Sequence, residues 1–182
     1  MNSPAPSKPK VVIPADDPPM VARSPYLEEL SEIADVRLYR DRPGSQEQLV
    51  ERLSEADILL NSRVAFRTSR ELLAQLPNLK MMAVCGVGYD SVDLAAADAH
   101  GLVVCNVRGR TATVVAEHAF ALMFAVARRI PQMTRELRGG KWSDELGLSL
   151  WRRQVGVIGT GNIGCEMIRL CRAVGMLSLI HI

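Results

Sequence analysis

Aromatic side chains are scarce in this 182-residue chain, where two Trp, three Tyr and three Phe amount to 4%. A single-stranded nucleic-acid surface interleaves basic and aromatic residues, and it has little material to work with here. The core that 48% hydrophobic residues can build is therefore aliphatic. Histidine is equally sparse (His100, His118 and His181), and Cys85, Cys105, Cys165 and Cys171 form no CxxC pair. Metal-ligand spacing and a disulfide framework are both missing, which reads as a reduced, cytoplasmic protein. Cys165 opens a predicted helix, where a thiolate would be stabilised, but is expected as an inert, packed thiol. Long apolar runs are absent too: residues 114–127 are interrupted by Glu117 and His118 and fall short of the ~20 residues of a membrane span. The opening MNSPAPSKPK lacks the apolar stretch of a signal peptide.

Charge is present but unevenly spread. Residues 1–100 carry 11 basic against 15 acidic side chains, a balance of −4, whereas residues 101–182 carry 11 against 5, a balance of +6. A basic half suits an anionic ligand, although Arg128, Arg129, Arg135, Arg138, Arg152 and Arg153 are also the residues expected on solvated faces and helix ends. A pI of about 8.4 is below that of a nucleic-acid binder.

Short apolar runs alternate with helical patterns. Residues 11–13, 36–39, 58–60, 81–84 and 102–105 are strand candidates. Ser24 before Pro25, Ser45 with Gln48, Thr68 with Glu71, and Asp90 are expected helix starts, because their side chains satisfy the exposed N–H groups of a first turn. Five strands separated by helices predict a flavodoxin-like parallel α/β sheet over residues 10–105. Its ligand crevice is expected beyond the carboxyl ends of the strands, which nominates residues 14–17, 61–63 and 85–89. In the last of these, Gly86 and Gly88 flank Val87 and leave backbone N–H groups open to a carboxylate, although a plain tight turn has the same spacing.

Residues 113–129 are apolar almost all round, which predicts a helix buried against more than one neighbour, with Arg128 and Arg129 at its carboxyl end. Glu117 and His118 are adjacent and so face different directions on that helix, which favours structural roles. Pro131 is expected to interrupt it, and residues 106–153 read as a helical connector.

The stretch Gly159-Thr160-Gly161-Asn162-Ile163-Gly164 has the glycine spacing of a dinucleotide-binding loop. Residues 155–158 form a strand directly before it, and Ile163, Met167, Ile168, Cys171 and Val174 fall on one helical face after it, which is the context the motif requires. Gly159 makes the turn, Gly161 admits the pyrophosphate and Gly164 packs helix on strand. Residues 154–182 are thus the expected start of a Rossmann domain that binds a dinucleotide.

Four blocks in order, CGVGYDSVDLAAADAHGLVVCNV, VAEHAFALMFAVARRIPQ, LRGGKW and VGVIGTGNIG, resemble the D-isomer-specific 2-hydroxyacid dehydrogenase family, with matching order and spacing over residues 80–175. The resemblance implies an oxidoreductase in which a substrate domain and a nicotinamide-cofactor domain close over a 2-keto or 2-hydroxy acid, assembled as a homodimer through the helix at 113–129. It implies that Cys85, Gly86, Val87 and Gly88 hold the substrate carboxylate, that Val87 also touches the cofactor, NAD or NADP, and that Gly159, Thr160, Gly161, Asn162, Ile163 and Gly164 hold the pyrophosphate. Arg63 is a further candidate substrate contact, one place from a basic residue of some relatives. The sequence departs from the family at Asn106-Val107-Arg108, where Asn-x-Pro is common, and at residues 150–154, where a Leu-x-Gly-Lys-Thr-like turn is usual.

The family's ribose-binding acidic residue falls about 20 positions beyond the glycine loop, here at Ile182, and residues 176–182 (MLSLIHI) read as foreign to the pattern. The family's catalytic Arg, Glu and His belong to motifs further downstream, so no catalytic residue is expected in these 182, which are expected to be an inactive amino-terminal fragment. A non-enzymatic, dinucleotide-sensing scaffold like the corepressors of this fold is the alternative. A short chain completed by a separate carboxyl-terminal chain is a third reading.

Overall fold

The computed structural model describes residues 7–62 and 67–181, with side chains described as far as residue 177. Two compact units, Met1–Arg108 and Gly109–Ile182, divide the chain. The expected connector at 106–153 is therefore split: its first three residues belong to the first unit and the remainder to the second.

The first unit is a five-stranded parallel sheet of β1 (Lys10–Ile13), β2 (Asp35–Leu38), β3 (Ile58–Asn61), β4 (Met81–Val84) and β5 (Val103–Asn106), in the order β2-β1-β3-β4-β5. That order is the flavodoxin-like one expected from the alternation of apolar runs and helices. On one face Val12, Leu59 and Met82 pack under α2 (Gln46–Leu53), α3 (Arg70–Leu73) and α4 (Leu94–His100), through Leu49, Leu53, Leu72, Leu73, Ala96 and Ala97. On the other, Val11 and Ile13 pack with Leu30 and Ala34 at α1 (Tyr26–Ile33). The alternation of these side chains between faces follows from the period of two in a strand.

The helix starts correct two expectations. Ser45 does cap α2, accepting from the Gln48 N–H. Ser69, not Thr68, caps α3, and Asp93, not Asp90, caps α4 through the Ala96 N–H. Thr68 is instead buried and bridged to Val92, and that bridge brings Asp93 to the cap position. Ser24 stands directly before Pro25, whose dihedrals are already helical, and its hydroxyl accepts from the Tyr26 N–H at 3.3 Å at the start of α1.

In the second unit, β6 (Gln154–Ile158) and β7 (Leu177–His181) pair in parallel across α7 (Asn162–Ala173). Residues 177–181, expected as foreign to the pattern, thus form a strand in full register with β6; their alternation of Leu, Ser, Leu, Ile and His is itself strand-compatible. Ile182, the expected ribose position, lies outside the described residues. Before this βαβ unit come α5 (Ala112–Ala127) and α6 (Ile130–Arg138). The break between them is not at Pro131, which sits in the first turn of α6, but at Arg129, whose φ of 55° is left-handed. An unpaired N–H is normal in a first turn, so Pro starts the helix there instead of ending one.

α5 is also less buried than its composition predicts. Only Ala112 and Ala116 are buried, while Val115, Leu122 and Val126 are exposed. One face meets α7: Phe120, Met123, Phe124 and Ala127 close over Leu150, Cys171 and Met176, with the two Phe rings 4.9 Å apart. Its carboxyl end also meets α6, while Val114, Val115 and Leu122 remain exposed. No helix among the described residues is long and apolar enough to cross a membrane.

Candidate active site

The loop after β4 emerges at the carboxyl end of the sheet, between the ends of β3 and β5. The Cys85 N–H donates to the Asn61 carbonyl (2.9 Å), the Val107 N–H donates to the Gly86 carbonyl (2.9 Å), and the Asn106 amide donates to the Val87 carbonyl (2.8 Å). Carbonyl groups are thereby tied back to the sheet. The Gly86 N–H is used within the loop, on the Val84 carbonyl at 2.8 Å, whereas those of Val87 and Gly88 have no partner among the described residues. A Cβ on Gly86 would meet nothing within 4 Å and one on Gly88 would meet only Asp90 Oδ2 at 3.5 Å. Neither glycine has a left-handed φ, so what both contribute is open space beside Val87.

Asp16, in the loop after β1, is fully buried and accepts from the N–H groups of Met20, Val21 and Ala22 at 2.8 to 2.9 Å. Burial alone would raise its pKa, but the three N–H donors and the Arg40 charge outweigh it and hold the carboxyl below its usual range. Its negative charge reaches Cys85: burial of the thiol first, and Asp16 second, push the Cys85 pKa up.

In the second unit β6 runs into Gly159 (φ +86°), and α7 starts at Asn162 with Gly161 as N-cap and no side chain capping it. The first main-chain bond of the helix is from the Cys165 N–H to the Gly161 carbonyl (2.9 Å), which leaves the N–H groups of Asn162, Ile163 and Gly164 without partners among the described residues. A Cβ on Gly161 would meet nothing within 4 Å, so the space over the helix start is open. A Cβ on Gly164 would stand 2.1 Å from the Gly159 carbonyl oxygen and 3.4 Å from Val157 Cγ1, so that glycine is required for helix and strand to touch. Free N–H groups, the positive end of a helix and room above it together fit a pyrophosphate. Cys165, expected as packed, is exposed instead and donates its S–H to the Thr160 carbonyl at 3.2 Å.

The sequence reading missed the brace from Asn106 to Val87 and the burial of Asp16. Both stand at strand ends next to the nominated loop, which is the signal that was available. Arg63, the further substrate candidate, lies outside the described residues. His100 ends α4 and so stands at the amino-terminal edge of the sheet, opposite the loop, and His118 is exposed on α5.

A flavodoxin-like α/β unit joined to a glycine-loop βαβ unit defines a two-part dinucleotide-enzyme class. The chain belongs to the D-isomer specific 2-hydroxyacid dehydrogenase family, whose catalytic-domain model matches residues 17–168. It is 37% identical over 134 residues to a D-3-phosphoglycerate dehydrogenase of Archaeoglobus fulgidus, covering 72% of this chain and 25% of that protein. It is 32% identical to a glyoxylate reductase of Korarchaeum cryptofilum, over 82% of this chain and 47% of that one. The solved structure of an acyclic imino acid reductase in complex with NADPH and D-Arg is similar, with a TM-score of 0.78 at 26% identity over 92% of this chain and 54% of that one. The chain thus spans between a quarter and about half the length of these relatives.

Proposed function

We propose that the protein containing these residues transfers a hydride between NAD or NADP and a small 2-keto or 2-hydroxy acid, reducing the keto group or oxidising the hydroxyl. The observation that carries this reading is the uncapped start of α7: three N–H groups without partners among the described residues, under open space at Gly161 and held against β6 by the close approach that only Gly164 permits. Residues 159–164 hold the dinucleotide pyrophosphate there, and the bound nicotinamide supplies or accepts the hydride. The N–H groups of Val87 and Gly88 orient the substrate carboxylate, and Cys85 stays neutral beside it. Asn106 keeps the Val87 carbonyl turned away from the anion. The relatives named for D-3-phosphoglycerate and glyoxylate chemistry and the solved reductase complex with NADPH support this reading.

Turnover also needs an acid/base to protonate the carbonyl oxygen, worth ~10²- to 10⁴-fold in rate, and a cation to orient the substrate. Among the described residues no His stands at the 85–89 loop, so we propose that residues 1–182 alone do not turn over. We further propose that the protein is a homodimer through α5.

The test is oxidation of NADH and NADPH with glyoxylate and hydroxypyruvate. Residues 1–182 are expected to show none. A chimera joining residues 1–175 to the carboxyl-terminal part of a curated relative is expected to show it, and to lose it on Gly161→Val. A folded chimera inert with every 2-keto acid offered, or activity that survives Gly161→Val, would overturn the reading.

A further inference from the structure

Beside the 85–88 loop, on the α1 side of the sheet, lies a pocket of about 250 Å³. It is lined by Leu60, near the carboxyl end of β3, and by Cys85, the exposed first residue after β4. Leu27 and Leu30 of α1 line it together with Met20 and Val21, and with Tyr26, which is exposed at the rim. No charged residue lines it among the described residues, and Ser24 is its one aliphatic hydroxyl. The pocket therefore begins at the residue from which the carboxylate-holding loop departs, and its lining is apolar. That space is more than a substrate without a side chain would fill.

Charge points the same way. The Asp16 carboxylate is ionised, held by three N–H donors, and its field is felt at Cys85. A phosphate or second carboxylate entering past Cys85 would meet that negative charge and no cation among the lining residues.

We infer that this pocket is the side-chain subsite of the acid whose carboxylate the Val87 and Gly88 amides hold, and that it selects 2-keto or 2-hydroxy acids with an uncharged, branched aliphatic or phenyl side chain. This rests on the substrate reading of the loop and narrows it. All of its described lining residues belong to one compact unit, residues 1–108.

The experiment is an amide chemical-shift titration of the 182-residue chain with 4-methyl-2-oxopentanoate, phenylpyruvate, glyoxylate and a phosphorylated 2-keto acid. The two apolar acids are expected to move the amides of Leu27, Leu60 and Cys85 together with Val87 and Gly88, and to bind roughly tenfold or more tightly than glyoxylate, the discrimination that a few apolar carbons carry. The phosphorylated acid is expected to bind no better than glyoxylate. Tyr26→Glu, at the exposed rim, and Leu27→Asn are each expected to bring the ratio of apolar acid to glyoxylate affinity close to one, and the spectrum itself reports whether each variant is folded. The wild-type comparison decides by itself. Equal affinities, or shifts confined to residues 86–88, overturn the subsite while leaving the substrate loop in place. Absence of any shift at Val87 and Gly88 with all four acids overturns the loop reading as well.

Discussion

The side-chain amide of Asn106 donates to the main-chain carbonyl of Val87 at 2.8 Å, across from the end of β5 to the loop after β4. With the Val107 N–H on the Gly86 carbonyl, this turns consecutive carbonyls inward and leaves the next N–H groups outward. Asn106→Ala removes the donor but not the strand. The expected loss is about 1 kcal/mol of stability in the first unit, the net worth of one hydrogen bond, with faster hydrogen exchange at Val87 and Gly88. Unchanged exchange at both would show that the loop holds its shape without the brace.

Gly161 and Gly164 make opposite demands although both belong to the same motif. A methyl group on Gly161 enters open space, so Gly161→Ala is expected to leave the urea midpoint of the second unit within about 0.5 kcal/mol of the parent. A methyl group on Gly164 meets the Gly159 carbonyl at 2.1 Å, and Gly164→Ala is expected to cost ~1 to 3 kcal/mol as helix and strand are forced apart. Unfolding followed by the fluorescence of Trp151, which packs against Gly175 in the same unit, separates the two. Equal effects would mean that the close approach at Gly164 is not a feature of the folded chain.

The sheet was legible because its strands are short, aliphatic and punctuated: residues 81–84 were placed without error, and the other four in this sheet within one residue at either end. Ser45 was legible as a cap because nothing else competes for its first turn. Thr68 and Asp90 were not, since the Thr68–Val92 bridge is a long-range contact that local spacing does not encode. The glycine loop was readable because each glycine answers a backbone demand. Neither the Asn106 brace nor the apolar pocket at Cys85 was, because both depend on which strands lie side by side. The burial of α5 was overestimated for a related reason: hydrophobicity all round a helix states that partners are needed, without saying that they are present.

Asp16 carries a pH dependence whose sign is fixed by the direction of its shift. Its folded pKa lies below the ordinary 3.8, so its contribution is present in full above about pH 5 and is lost as the pH falls through 3.8 toward the depressed folded value. Asp16→Asn keeps one oxygen acceptor but presents an NH2 group to one of the three N–H donors. It is expected to cost about 2 kcal/mol at pH 7 and to lie closer to the parent at pH 3. Urea unfolding of both proteins at the two pH values measures this; a gap that widens on acidification would mean that Asp16 is not ionised in the folded state.

α5 carries the remaining prediction. Val115, Ala119, Leu122 and Val126 recur at spacings of four, three and four, which places them on one stripe of the helix. The residues that meet α7 lie on another stripe, so these four are turned away from it. Val126 is 76% and Leu122 53% exposed, values that an isolated Leu or Val tolerates but that a continuous row on one helix marks as an association surface. A second copy of the same helix is the partner that a self-complementary apolar stripe fits, and a two-fold axis would pair each stripe with itself. Light scattering of residues 1–182 is expected to give a dimer that Leu122→Glu converts to a monomer. Because Leu122 is half exposed in the single chain, that substitution is expected to change monomer stability by no more than about 0.5 kcal/mol, so dissociation would not be a by-product of unfolding. A parent chain that scatters as a monomer at every concentration, or a Leu122→Glu dimer as tight as the parent, removes α5 from the interface.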